Sequence, residues 1–170
     1  MRREMFIIGI VVVIAIVVGW FIFVQNGGTF DDLSSPSSIR AQSVSVPFTE
    51  LARGTQSDIT TRVNYLITAS SELEELWKLI GGKDKAPVID FSKSAVAAVF
   101  AGEKPTTGYA VTVSKVEDTN VRTVTVLIQE PGDNCEKNES VTKPYSLIEI
   151  PKTSLTFTHE DQTTTVNCEE

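Results

Sequence analysis

The chain has 170 residues, enough for one domain, and carries 15 Lys and Arg against 22 Asp and Glu for a net charge of −7. Acidity of this kind argues against nucleic acid as a partner, because phosphate binding needs a concentrated basic surface, and it serves solubility instead. One His and two Cys cannot build a tetrahedral zinc site within one chain, and no metal or other cofactor is expected.

Residues 1–5 form a short stub bearing Arg2 and Arg3, followed by FIIGIVVVIAIVVGWFIFV over residues 6–24, a run with neither charge nor proline. At about 1.5 Å per helical residue this run nearly crosses a hydrocarbon core of roughly 30 Å, which predicts a single transmembrane helix. A cleaved signal peptide is the competing reading, but its apolar core would be shorter and would end in small residues, whereas this one ends in Trp20, Phe21 and Phe23. The basic flank puts the N-terminus in the cytoplasm and everything beyond the membrane outside it, a single-pass cell-membrane protein with an extracytoplasmic domain. Residues 25–42, rich in Gly, Ser and Asp, read as a flexible linker, and residues 43–170 as the folded domain. Cys135 and Cys168 both fall in the extracytoplasmic part, which favours a disulfide between them, with two free thiols as the alternative.

Within the domain, Val44, Val46 and Phe48 alternate with polar residues, as do Val63, Tyr65 and Ile67 after an Arg53-Gly54-Thr55 turn, so both stretches are predicted strands. Ser71-Glu72-Leu73-Glu74 has the capping-box pattern and opens a short amphipathic helix whose Leu73, Leu76, Trp77 and Ile80 face the core before Gly81-Gly82 ends it. Ala95 to Phe100 is continuously apolar, the mark of a central strand covered on both faces. Tyr109 to Ser114 and Val121 to Gln129 form a hairpin around Glu117-Asp118-Thr119-Asn120, and Tyr145 to Ile150, Leu155 to Glu160 and Thr163 to Cys168 give three further strands. The sum is a mainly β domain, an antiparallel sandwich or barrel of about eight strands with one short helix packed at its side.

Chemistry is sparse. No hydrolase, zincin or phosphate-loop motif occurs, and no catalytic residue is predicted. His159 stands without a motif partner, and nothing in the sequence calls for an acid–base pair of carboxylates such as Asp90 with Glu103. The conspicuous stretch is Glu103 to Val111, EKPTTGYAV. Pro105 fixes its own φ and extends Lys104, the hydroxyls of Thr106 and Thr107 can satisfy turn amides, and Gly108 permits a positive φ, so the turn is stiff before any partner arrives. It serves either as a recognition loop or simply as a connection between two strands. Asn138-Glu139-Ser140 matches a glycosylation sequon.

Several segments in order carry a resemblance: Asp90-Phe91, the Gly102-Glu103-Lys104-Pro105 turn closing on Gly108-Tyr109, Pro131-Gly132 with Cys135, and Pro144-Tyr145 leading to Ile150-Pro151-Lys152. Together, over Pro87 to Lys152, they resemble the PrcB C-terminal domain family, named after an accessory subunit of a surface protease complex. Thr107 stands where such sequences often have a first glycine. The Lys104-Pro105-Thr106-Thr107-Gly108-Tyr109 turn is also similar to a loop of chagasin-type cysteine protease inhibitors, and Lys143-Pro144-Tyr145 to their later loop. That second likeness departs in having Lys at the first position and no G-x-G-G loop between the two. These resemblances imply a protein partner, a surface or secreted protease, met by Lys104, Pro105, Thr106, Thr107, Gly108, Tyr109, Pro144 and Tyr145. The domain would assemble, stabilise or modulate that protease without being an enzyme itself. A chagasin-like inhibitor is the first alternative and an envelope enzyme with a site assembled across strands the second.

Overall fold

A computed structural model describes residues 42–168. The predicted stub 1–5, the membrane helix 6–24 and all of the linker before residue 42 lie outside those residues. No helix among the described residues is long and apolar enough to cross a membrane.

Among the described residues the strands are β1 (Val44–Ser45), β2 (Thr49–Gly54), β3 (Arg62–Ile67), β4 (Ser94–Ala101), β5 (Ala110–Asp118), β6 (Arg122–Pro131), β7 (Tyr145–Pro151) and β8 (Phe157–Val166), with one helix, α1 (Ser70–Leu79), between β3 and β4. They form two four-stranded sheets, ordered β1-β5-β6-β8 and β2-β7-β4-β3. Val111, Val113, Val116, Val124, Val126 and Ile128 of the first sheet meet Ala95, Ala97, Val99, Ile148 and Ile150 of the second in one apolar layer. The opposite face of the second sheet, with Val96, Ala98, Phe100 and Leu147, is covered by Leu73, Leu76 and Ile80 of the helical segment. β4 is therefore buried on both faces, which is why its sequence shows no polar alternation.

Four expectations need correcting. The two strands read at the C-terminal end are one continuous strand, β8, which pairs with β6 in parallel over an unbroken register from Arg122↔Phe157 to Pro131↔Val166. Asp161-Gln162 has turn composition, but the Asp161 carboxylate accepts hydrogen bonds from the Arg62 Nε (2.9 Å) and Nη2 (2.5 Å) of β3, so the chain can run straight through it. The β1-β5-β6-β8 sheet is consequently mixed, while the β2-β7-β4-β3 sheet is antiparallel throughout. Secondly, β2 occupies what looked like the approach to a turn. Its Thr-Glu-Leu-Ala-Arg-Gly sequence lacks clean alternation because the strand lies at a sheet edge and slips register between Glu50 and Ala52. Thirdly, the strand read across Val44, Val46 and Phe48 stops at Ser45, because Val46 turns into the core, donating its amide to the Val116 carbonyl at 2.8 Å. Finally, the helix begins two residues earlier than the capping box implied, with Ala69 rather than Ser71 at the N-cap. No side chain caps Ala69, and Glu72 instead reaches back to accept the Thr68 N–H at 2.9 Å. Its expected stop is realised at Gly81, with φ +69°.

The order of the strands gives the sandwich two ends. β5 leaves one end at Ala110 and reaches the other at Asp118, where β1 pairs with it and the chain enters the domain. This is the entry end. The loops between β2 and β3, β4 and β5, and β6 and β7, together with the chain after β8, gather at the other, the loop end, about 30 Å away for a strand of this length.

Candidate functional site

At the loop end the turn after β4 begins at Gly102, whose φ of +74° and 2.8 Å approach of a notional Cβ to the Arg62 amide nitrogen leave no room for a side chain. Glu103 donates its amide to the Thr60 carbonyl at 2.9 Å. Lys104 then pairs with Thr142 in an isolated antiparallel bridge, each donating N–H to the other's carbonyl at 2.8 and 2.9 Å. Gly108 has φ +94° and packs so tightly on Pro131 that a Cβ would stand 2.7 Å from the proline Cβ. The positive φ expected of Gly108 is present, and the close approach adds a second reason for glycine there.

The threonines do not offer their hydroxyls to a partner. Thr107 Oγ1 accepts the Asn138 N–H at 3.0 Å while its own amide donates to the Asn138 carbonyl at 3.1 Å. Thr142 Oγ1 donates to the Thr106 carbonyl at 2.9 Å, and Thr106 Oγ1 donates to the Thr107 carbonyl at 3.1 Å. The turn is thus clasped by the β6–β7 connection, and Thr107 earns its departure from a glycine pair by holding the facing strand of that clasp. Lys104 Nζ lies 5.4 Å above the Tyr109 ring, a cation–π contact across the mouth of the turn.

The clasp has its own supports. Lys143 donates its amide to the Thr55 carbonyl, Ser57 Oγ donates to the Lys143 carbonyl, and Gln56 Nε2 donates to the Val141 carbonyl, which ties in the β2–β3 loop. Cys135 is disulfide-bonded to Cys168 with a Cα separation of 5.0 Å, so the free-thiol alternative falls away. Around it, the Gly132 amide donates to the Val166 carbonyl, and the Asn134 amide side chain donates to the Cys168 carbonyl. Three loops and the end of β8 are joined into one surface.

Of the expected contact residues, Pro105 and Gly108 are exposed, while Lys104, Thr106, Thr107 and Tyr109 are half-buried. Exposed Glu103 and Val141 complete the outward rim. Pro144 is fully buried and cannot meet a partner. Tyr145 is half-buried with its ring 6.2 Å from that of Phe100, and desolvation pushes its phenol above the usual range. These two residues support the surface from behind, and Pro144 sealed in the core leaves no second inhibitory wedge of the chagasin kind. Sequence reading missed Asn138, Thr142 and the β2–β3 loop, because the clasp joins residues more than 30 positions apart, many of them through main-chain groups that leave no signature in side-chain types.

The candidates for catalysis do not converge. Asp90 and Glu103 lie at opposite ends of β4, and Asp90 is engaged with Ser92 and Lys93, whose hydrogen bonds hold its carboxyl below the usual range. His159 is exposed on β8 and lines a cleft of about 180 Å³ between β3 and β8, beside Asn64, Leu66 and Phe157, with neither of those carboxylates in its lining. Among the described residues no group of His, Cys, Asp and Glu is placed to hold a metal.

Residues 95–151 match the model of the PrcB C-terminal family, the family to which the ordered motifs pointed. The matched segment runs from β4 to β7 and contains the whole turn and its clasp. No curated protein and no solved structure matches the chain.

Proposed function

We propose that this is a non-catalytic, membrane-anchored module whose extracytoplasmic domain binds a protein, a surface or secreted protease that it assembles, stabilises or modulates. The family match supports an accessory role in a protease complex. The observation that carries the reading is the loop end itself, where the 103–109 turn and the 138–142 segment are hydrogen-bonded to each other before any partner is present. A surface already ordered spares the complex the cost of immobilising its loops, which for rotamer-rich side chains runs to about 0.5–1.5 kcal/mol each. Within the described residues the chain enters the domain at β1, at the other end of the sandwich from this surface.

Site-specific photocrosslinking in the native membrane tests it. A photoreactive residue at Glu103, Pro105 or Val141 is expected to capture a protease subunit identifiable by mass spectrometry, and one at Asn120, in the β5–β6 turn of the entry end, is not. Equal capture from Asn120, or none from the three loop-end positions in a correctly inserted protein, sinks the reading.

A further inference from the structure

Each sheet has two edges, and three of the four are poorly suited to pairing with another strand. β1 is two residues long, β2 slips register between Glu50 and Ala52, and β3 is six residues long. β8 is different. It is ten residues long, pairs with β6 alone among the described residues, keeps its register throughout, and is largely exposed. An unbroken edge of that length presents a row of unpaired backbone groups, which proteins normally blunt with charge or cover with another strand.

The charges on β8 are confined to its first half. His159, Glu160 and Asp161 precede the uncharged run Gln162-Thr163-Thr164-Thr165-Val166. Register with β6 places His159, Asp161, Thr163 and Thr165 on the inner face, with Val124, Val126 and Ile128, and places Thr158, Glu160, Gln162, Thr164 and Val166 on the outer face. This asymmetry matters when β8 meets a second β8. Antiparallel pairing about a two-fold axis sets residues of the same face opposite each other. A dyad at Asp161 would oppose two Asp161 carboxylates. Symmetric parallel pairing would oppose each acidic residue to its own copy or its acidic neighbour. With the dyad at Gln162, Asp161 faces Thr163, Glu160 faces Thr164, His159 faces Thr165 and Thr158 faces Val166. The acidic half of each strand then lies against the threonine half of the other, and no like charges are directly opposed.

We infer that the exposed edge of β8 is a self-association surface, and that two copies of this chain join through antiparallel β8–β8 pairing centred on Gln162, making one continuous eight-stranded sheet from the two β1-β5-β6-β8 sheets. Threonine favours strands and accepts either a hydroxyl or a carboxylate opposite it, which suits it to both halves of the pairing. The surface is separate from the loop-end surface, and the inference stands whether or not that surface binds a protease.

Cysteine crosslinking of the full-length protein tests the register. In Q162C the two introduced thiols stand opposite each other across the dyad, and mild oxidation is expected to give a covalent dimer. In T158C the two thiols are separated by roughly 26 Å along the strands, at about 3.3 Å per residue, and no dimer is expected. Charge variants at the outer-face position Thr164, which is half-buried, supply an independent measurement. T164E opposes Glu160 twice per dimer and is expected to weaken association about fivefold, T164K to strengthen it by a similar factor, and E160K combined with T164E to restore it. Equal crosslinking of Q162C and T158C, a Q162C protein that stays monomeric, or association indifferent to the charge at position 164 overturns the inference. A monomer whose β8 edge instead pairs with a strand of another protein would give the second of these results.

Discussion

The two ends of the sandwich are held by different physics. At the entry end Arg122, nearly fully buried, donates from Nε and Nη2 to the two Asp118 oxygens at 2.6 and 2.7 Å, and from Nη1 to the Pro151 carbonyl. Its guanidinium also sits 5.7 Å from the Phe157 ring centroid. One cation there joins β5, β6, β7 and the start of β8. At the loop end no comparable buried charge is involved, and the junction is a mesh of main-chain hydrogen bonds closed by the Cys135–Cys168 disulfide. A charge lock responds to acid and to loss of one partner, whereas a covalent and hydrogen-bonded lock responds to reductant. The two ends can therefore be loosened separately, which gives a way to learn which of them function depends on.

The largest effect is expected at the entry end. Asp118→Ala leaves the Arg122 guanidinium buried without its counter-ion, a change that costs about 3–5 kcal/mol when a buried pair is broken from one side. Because Arg122 joins four strands, urea unfolding followed by any probe should shift to the same lower midpoint. The same lock sets an acid limb. Hydrogen bonds from Arg122 lower the Asp118 pKa in the folded state. A group with a depressed folded pKa adds stability that is complete above its unfolded value, near 3.9 for an aspartate, and is lost as pH falls through the folded value. Stability is thus expected to decline below about pH 4, and Asp118→Asn to lie lower at neutral pH with a flatter acid limb. An acid limb of unchanged steepness in Asp118→Asn would assign the decline to other carboxylates.

Reducing the disulfide, or replacing both cysteines by serine, is expected to cost somewhat less. Its sequence separation of 33 residues corresponds to about 3–4 kcal/mol on the chain-entropy model. The diagnostic result is where the loosening appears. Amide hydrogen exchange should accelerate at 132–142 and 103–109 and stay slow in the β5–β6 turn and at β1. Uniform acceleration would mean that the two ends form one cooperative unit.

Much of this contrast could be read from the chain beforehand, and the reasons are physical. β4 announced itself because a strand buried on both faces has no polar alternation, and Gly108 because a positive φ beside a strand selects glycine. The disulfide was favoured by an even cysteine count in the segment expected to be extracytoplasmic, and it is present. The entry-end lock was not legible: nothing in Asp118 or Arg122 distinguishes a buried pair from ordinary hairpin-turn residues until β7 supplies the Pro151 carbonyl. β8 was misread for a related reason, since Asp161 belongs to a turn unless an arginine almost a hundred residues earlier neutralises it. The proposed contact surface was half legible. The turn itself was visible, but Pro144 and Tyr145 resembled exposed loop residues and instead lie behind it, packed where the β6–β7 connection returns to the sheet.

The smallest of these effects decides what the threonines of the turn are for. Thr107→Val keeps the branched shape but removes the acceptor for the Asn138 N–H, and one neutral hydrogen bond at a partly exposed site is worth about 1 kcal/mol. The expected result is a small fall in stability, with faster exchange at Asn138 and its neighbours and no change at the entry end. Partner capture should weaken only as far as the clasp loosens, so a variant that restores rigidity by another route should restore capture as well. A cross-link between introduced cysteines at Pro105 and Val141, flanking the Lys104–Thr142 bridge, offers that route, and because both positions lie on the proposed contact rim, capture is compared with that of the same cross-linked protein carrying Thr107. If capture returns in the cross-linked Thr107→Val protein, the hydroxyl acts by ordering the loop. If capture stays low although the loop is again protected from exchange, the hydroxyl itself contacts the partner, and the inward hydrogen bond seen here must open on binding.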